Sequence, residues 1–190
     1  MAKELVKAYQ KELIKQIGEI DAEAFEKFMQ ILLAAYRNDK QVFVAGNGGS
    51  AATANHFVCD FGKNAVQVEK RRFRILSLAE SIEKMTALGN DVAFEEIFRQ
   101  QMINLMRPED VLILVSASGN SPDLVRACVY AKEMNAKIVV LAGFEGGKIK
   151  GFADAAMVAR CDSYERIEDI HLIILHMAVC YMKEHQEFFA

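Results

Sequence analysis

No stretch of this 190-residue chain approaches the roughly 20 consecutive apolar residues that a membrane span needs. The amino terminus, "MAKELVKAYQKELIKQ", is charged throughout and lacks the apolar core of a secretory signal. Cysteine is sparse: Cys59, Cys128, Cys161 and Cys180 are widely scattered and form no C-x-x-C pair. They read as reduced thiols of a cytoplasmic protein, with Cys128 and Cys180 in apolar helical patterns as core residues and Cys59 in a small packing role. An excess of positive charge is missing too. The net charge of −3 gives no general attraction to nucleic acid or to an anionic membrane. The short basic run Lys70-Arg71-Arg72 reads as a solvated loop before a strand. Only two prolines occur, and there is no linker, low-complexity tract or internal repeat. Length and composition therefore indicate one globular domain over 1–190.

Two helical patterns come first. Residues 2–19 carry Leu5, Ala8, Tyr9, Leu13 and Ile17, mostly three or four apart. Residues 22–37 carry Phe25, Phe28, Met29, Leu32, Leu33 and Tyr36 at the same rhythm. Asp21 is placed to cap the second helix, without a full capping box because Ala24 stands three residues on. This hairpin, residues 1–38, is expected to pack against another subunit. From residue 39 onward the pattern becomes strand–helix repeating. "QVFVAG", "FRILSL", "DVLILVSAS", "KIVVLAG" and the weaker "AAMVAR" read as strands. Helical segments at about 50–62, 81–88 with 93–106, 121–134 and 164–187, plus a turn near 146–152, separate or follow them. Apolar runs without alternation predict strands buried on both faces. The alternation predicts an α/β fold with a mostly parallel sheet between helical layers.

The chemistry concentrates where these strands end. "GNGGS" (Gly46 to Ser50) follows the first strand and "SASGNS" (Ser116 to Ser121) the third, and each opens a helix. "GFEGGK" follows the fourth. Glycines let backbone N–H groups approach an anion, and a helix N-terminus adds partial positive charge. Hydroxyls of Ser116, Ser118 and Ser121 supply further donors. The P-loop pattern G-x-x-x-x-G-K-[ST] is absent. "GNGGSA" meets only the relaxed dinucleotide fingerprint, and no acidic ribose anchor ends the second strand. A serine-lined cradle without a lysine suits a phosphate monoester on a sugar.

Titratable groups lie on two helices. His56 and Asp60, at i and i+4, share one helical face. In "ERIEDIHLIILH", Glu168 and His176 are a little over two turns apart and share another. If the helices meet, two imidazoles and two carboxylates suit a divalent metal such as zinc, with manganese, iron or nickel as alternatives. The same groups are equally suited to proton exchange with a substrate. His171 reads as a satisfied core or surface histidine.

"GNGGSAATANHF", "ALGND", "SASGNS", "GGK" and "RIEDIHLIILH" stand in the order and spacing of the SIS (sugar isomerase) family of phosphosugar-binding proteins, and the chain most nearly resembles its phosphoheptose isomerase branch. The resemblance runs along nearly the whole chain. It implies a three-layer α/β sandwich with a five-stranded parallel sheet, assembled as a homotetramer with active sites between subunits. It implies a ketose–aldose isomerase converting sedoheptulose 7-phosphate to glycero-manno-heptose 7-phosphate through an enediol(ate), with a zinc ion at His56, Asp60, Glu168 and His176. Asp60 and His176 become the acid/base pair. Ser50, Ser116, Ser118 and Ser121 become phosphate contacts, beside the Gly48-Gly49 backbone. Asn47, Asn90, Asp91 and Glu165 line the sugar site, with Glu168 also placed on the substrate. Three positions depart from the family pattern: Asp60 replaces a glutamate, Glu168 a glutamine and Ala117 a threonine. The same family implies two alternatives, a non-catalytic phosphosugar-binding regulator, such as the type that associates with a replication initiator, and an isomerase of another phosphosugar.

Overall fold

The computed structural model describes residues 1–67 and 69–189. Five strands follow the apolar runs of the sequence: β1 (Gln41–Ala45), β2 (Arg74–Ser77), β3 (Val111–Ser116), β4 (Lys137–Gly143) and β5 (Ala155–Ala159). All pair in parallel, in the order β2-β1-β3-β4-β5. β3 is buried at every position and β4 at all but its first, which is why both read as unbroken apolar runs. β5 alternates between buried and half-buried residues, as an edge strand should.

Helices cover both faces. Toward one lie α2 (Ala22–Arg37), α3 (Gly49–Asn64) and α7 (Tyr164–Glu184), whose Phe28, Phe57, Ile167 and Ile174 share a core with Val42, Val44, Ile113 and Val139. Toward the other lie α5 (Ile97–Leu105) and α6 (Pro122–Glu133), packed on Phe43, Leu112, Leu114 and Val140. Alternate residues of each strand thus feed opposite cores. Each fully buried large side chain, such as Phe28 or Leu32, contributes about 1.5–3 kcal/mol by leaving water. α1 (Ala2–Gly18) and α4 (Ile82–Asp91) stand further out, and α4 buries no residue completely. The Asp21 carboxylate accepts from the Ala24 N–H at 2.9 Å, the expected cap of α2.

The basic run is the loop before β2, with Arg71 exposed as expected, but its side chains are bonded rather than free. Lys70 donates to the Gln186 carbonyl, Arg71 stacks on the Tyr36 ring and pairs with Asp39 at 2.7 Å, and Arg72 donates to the carbonyls of Gly62 and Lys63. The run ties the α3–β2 connection to α2, α3 and the carboxyl-terminal segment. Cys180 is exposed, not core, because it lies one turn beyond His176 on the outward side of α7; Cys59 is exposed as well, while Cys128 and Cys161 are buried. Among the described residues, no helix is long and apolar enough to cross a membrane.

Candidate active site

β1 is flanked by β2 on one side and β3 on the other, so the chain direction of the crossovers reverses between β1 and β3. Open parallel sheets bind ligands at the carboxyl ends of such strands. Both glycine–serine loops emerge there. In the first, Gly48 caps α3 at φ 55° and ψ −122°, a conformation that a β-carbon strongly disfavours. The N–H groups of Gly49 and Ser50, in the first turn, have no helical acceptor. In the second, Gly119 sits at φ 63°, and a β-carbon there would come within 2.2 Å of the Gly146 carbonyl oxygen. The serine loop is therefore braced, backbone on backbone, by the glycines of "GFEGGK". Ile149 N–H donates to the Gly119 carbonyl at 3.1 Å, and Lys148 N–H to Asn120 Oδ1 at 3.1 Å.

The serines divide by role. Ser116 Oγ accepts from Gly119 N–H at 3.1 Å and Ser118 Oγ from Asn120 N–H at 3.3 Å. As acceptors they hold the loop, and each keeps its hydroxyl proton to donate. Ser121 precedes α6 without making a cap bond. Ser50 is buried in the first turn of α3. Asn47 Nδ2 donates to Asp123 Oδ2 at 2.7 Å and so links the two loops. Asp123 is 1% exposed, and burial raises the pKa of its carboxyl against the pull of Asn47 and nearby backbone N–H groups. An aspartate in the first turn of a helix reads as a partner for the helix dipole, so its link to Asn47 is invisible in the sequence.

α3 and α7 run parallel in contact. His56 faces His176, and just past the ends of both helices Gln186 donates to the Ala65 carbonyl, an almost constant offset of about 120 residues. This register brings three of the expected residues together. His56 Nε2 and His176 Nε2 are 3.0 Å apart, His56 Nε2 and Asp60 Oδ2 3.2 Å, and His176 Nε2 and Asp60 Oδ2 3.8 Å. Four-coordinate zinc with bonds of 2.0–2.2 Å requires ligand atoms about 3.4 Å apart. The three distances bracket that value, so these residues fit a metal as well as a proton relay. The side chains remain accessible, at 49% for His56, 46% for His176 and 35% for Asp60.

Glu168 stands apart from this group. Its carboxylate lies over the first turn of α3, so close to Gly49 that a β-carbon there would meet both oxygens at 2.7 Å. It faces the cradle at the positive end of α3, not the histidines. Asn90 and Asp91 close the exposed end of α4 and bond to each other at 2.7 Å. Glu165, also exposed, accepts from Ser163 Oγ at 2.7 Å. His171 is fully buried with neither ring nitrogen hydrogen-bonded, not the satisfied histidine expected. Burial pushes its pKa down to about 4, and the Ala142 backbone opposes that shift from outside hydrogen-bonding geometry.

A cradle at the switch point of a parallel sheet, beside a pair of histidines on parallel helices, defines a class of phosphosugar-binding proteins. The chain belongs to the SIS domain family, whose model it matches over residues 7–143. Its similarities are finer than that. It is 33% identical to the phosphoheptose isomerase of Helicobacter pylori strain P12 over 92% of this chain and 91% of that one. It is 37% identical to the phosphoheptose isomerase of Nitratiruptor sp. over 77% and 78%. Among solved structures, phosphoheptose isomerase GmhA from Neisseria gonorrhoeae superposes with a TM-score of 0.89 and 28% identity, covering 97% of this chain and all of that one.

Proposed function

We propose that this chain is a ketose–aldose isomerase that converts D-sedoheptulose 7-phosphate to D-glycero-D-manno-heptose 7-phosphate. The observation that carries this reading is the convergence of His56, Asp60 and His176 beside a two-loop cradle, in a chain similar along most of its length to phosphoheptose isomerases. The cradle holds the phosphate through the N–H groups at Gly48, Gly49 and Ser50 and the hydroxyls of Ser50, Ser116, Ser118 and Ser121. With the phosphate fixed, the other end of the open-chain sugar reaches the histidines.

The chemistry is a proton shift. Asp60 takes a proton from C1 of the ketose, and the C1–H electron pair becomes the C1=C2 bond of a cis-enediol. His176 carries a proton between the hydroxyl on C1 and the oxygen on C2. Return of a proton to C2 leaves the aldehyde at C1, so no electrons are gained or lost overall and no nicotinamide is required. A divalent cation, zinc first, supplies polarisation of the carbonyl when bound, with His56, Asp60 and His176 as its ligands. Glu168, over Gly49, lies on the substrate side of the site. The direct test is NMR of sedoheptulose 7-phosphate incubated with the purified protein and each of zinc, manganese, iron and nickel in turn. Appearance of the heptose aldose is expected; none with any metal would refute the assignment.

The assembly belongs to the same proposal: one domain of 190 residues forming a cytoplasmic homotetramer with sites between subunits. Supporting it, α1 exposes an apolar stripe of Val6, Ile14 and Ile17, with Ile14 70% accessible, while Leu5, 67% accessible, lies on the opposite side of the helix. A stripe of that kind on a soluble helix calls for a partner. The His56 cluster is also open on one chain, which leaves room for a second subunit to complete the site. Light scattering should give four times the 21.3 kDa of the chain. Val6→Glu with Ile14→Glu should lower that mass, and an unchanged tetramer would assign the stripe another role.

A further inference from the structure

The Asn47–Asp123 pair is an unusual use of a buried charge. Asp123 is 1% exposed, and only one of its oxygens is hydrogen-bonded; Oδ1 is buried without a partner. An unpaired buried oxygen of this kind is costly, because it has given up its water without gaining a donor. Asparagine at 123 would have much the same shape with no charge to bury. What a carboxylate adds is direction. It only accepts, so the Asn47 amide must turn its NH2 toward Asp123, which leaves the amide Oδ1 as its free end. Among the described residues that Oδ1 has no partner.

We propose that Asp123 is a positioning residue that fixes the orientation of the Asn47 amide, so that Asn47 presents a carbonyl acceptor to a hydroxyl of the bound sugar phosphate. The proposal rests on the phosphosugar reading of the cradle. The carboxylate makes Asn47 select a donor group, a sugar hydroxyl, over an acceptor such as a phosphate oxygen. It also ties the β1 loop to the first turn of α6, so the two halves of the cradle are set relative to each other by one bond.

The test is Asp123→Asn, alone and combined with Asn47→Ala. An amide at 123 accepts either orientation of Asn47, so the bond survives and the direction is lost. KM for sedoheptulose 7-phosphate should rise about 5- to 10-fold, the worth of one hydrogen bond. kcat should change much less, and the inhibition constant of inorganic phosphate should rise less than KM. In the Asn47→Ala background Asp123→Asn should change KM less than twofold. A KM within twofold of wild type, or the same factor in both backgrounds, would overturn the proposal. If the wild-type chain binds the sugar phosphate without turning it over, the isomerase assignment fails. The same comparison, made in Kd by calorimetry, still decides the role of Asp123.

Discussion

His176→Ala is expected to lower kcat by about 10³-fold, within the range set by loss of a positioned acid or base. Melting should be little changed, because the side chain is 46% exposed and its closest polar contacts are His56 and Asp60. Asp60→Ala should cost a similar factor. Asp60→Glu is the sharper variant. The family resemblance implies a glutamate at this position, yet Asp60 Oδ2 already lies 3.2 Å from His56 and 3.8 Å from His176. The shorter side chain closes the site, so an added methylene would overshoot it. A displacement near 1 Å costs about 10²-fold, and Asp60→Glu should fall by that order. Full activity in Asp60→Glu would mean that α3 shifts to accommodate either length. Elemental analysis of the same variants, with His56→Ala added, separates the two roles. Metal content should drop in all three alanine variants, and unchanged content would leave these residues as a proton relay alone.

His171→Leu is expected to change the response to acid. Burial holds the folded-state pKa of this histidine at about 4, against about 6.5 in an unfolded chain. Below pH 6.5 the unfolded state binds a proton that the folded state refuses. Stability is therefore full above that pH and is lost as pH falls toward 4, by about 3 kcal/mol between pH 7 and pH 4. Urea denaturation of wild type and variant at the two pH values should show that the variant loses about 3 kcal/mol less. At pH 7 the variant should be at least as stable, since two unpaired ring nitrogens are removed from the core. Equal acid sensitivity in both proteins would place the proton elsewhere.

Much of the fold was legible from the sequence because its signals are local. The runs at β1, β3 and β4 have no polar break, since both faces of each strand are covered. Asp21 capped α2 where its position required. His56 and Asp60 were legible as a pair because one helical turn relates them. The meeting of His56 with His176 was conditional, because it depends on the register of α3 against α7 across 120 residues. Helical phase and the family resemblance both put Glu168 with the histidines. Its side chain instead turns toward the amino end of α3, where Gly49 leaves space for a carboxylate. Asp123 was missed for a related reason. First-turn acids are common, and only the packing of two loops shows that this one holds Asn47. Cys180 and Arg71 show the same limit, since a residue's neighbours across the fold decide whether an apolar phase is core and whether the side chains of a basic run are bonded or free.

In the proposed mechanism Asp60 and His176 move a proton between C1 and C2 of a seven-carbon sugar phosphate. The most direct measurement is NMR of the aldose formed from sedoheptulose 7-phosphate in D2O. Exchange of the abstracted proton with solvent predicts deuterium at C2 of the product, formed by the wild-type chain and at least about a hundredfold more slowly by His176→Ala. Aldose formed at the same rate by both proteins would contradict it.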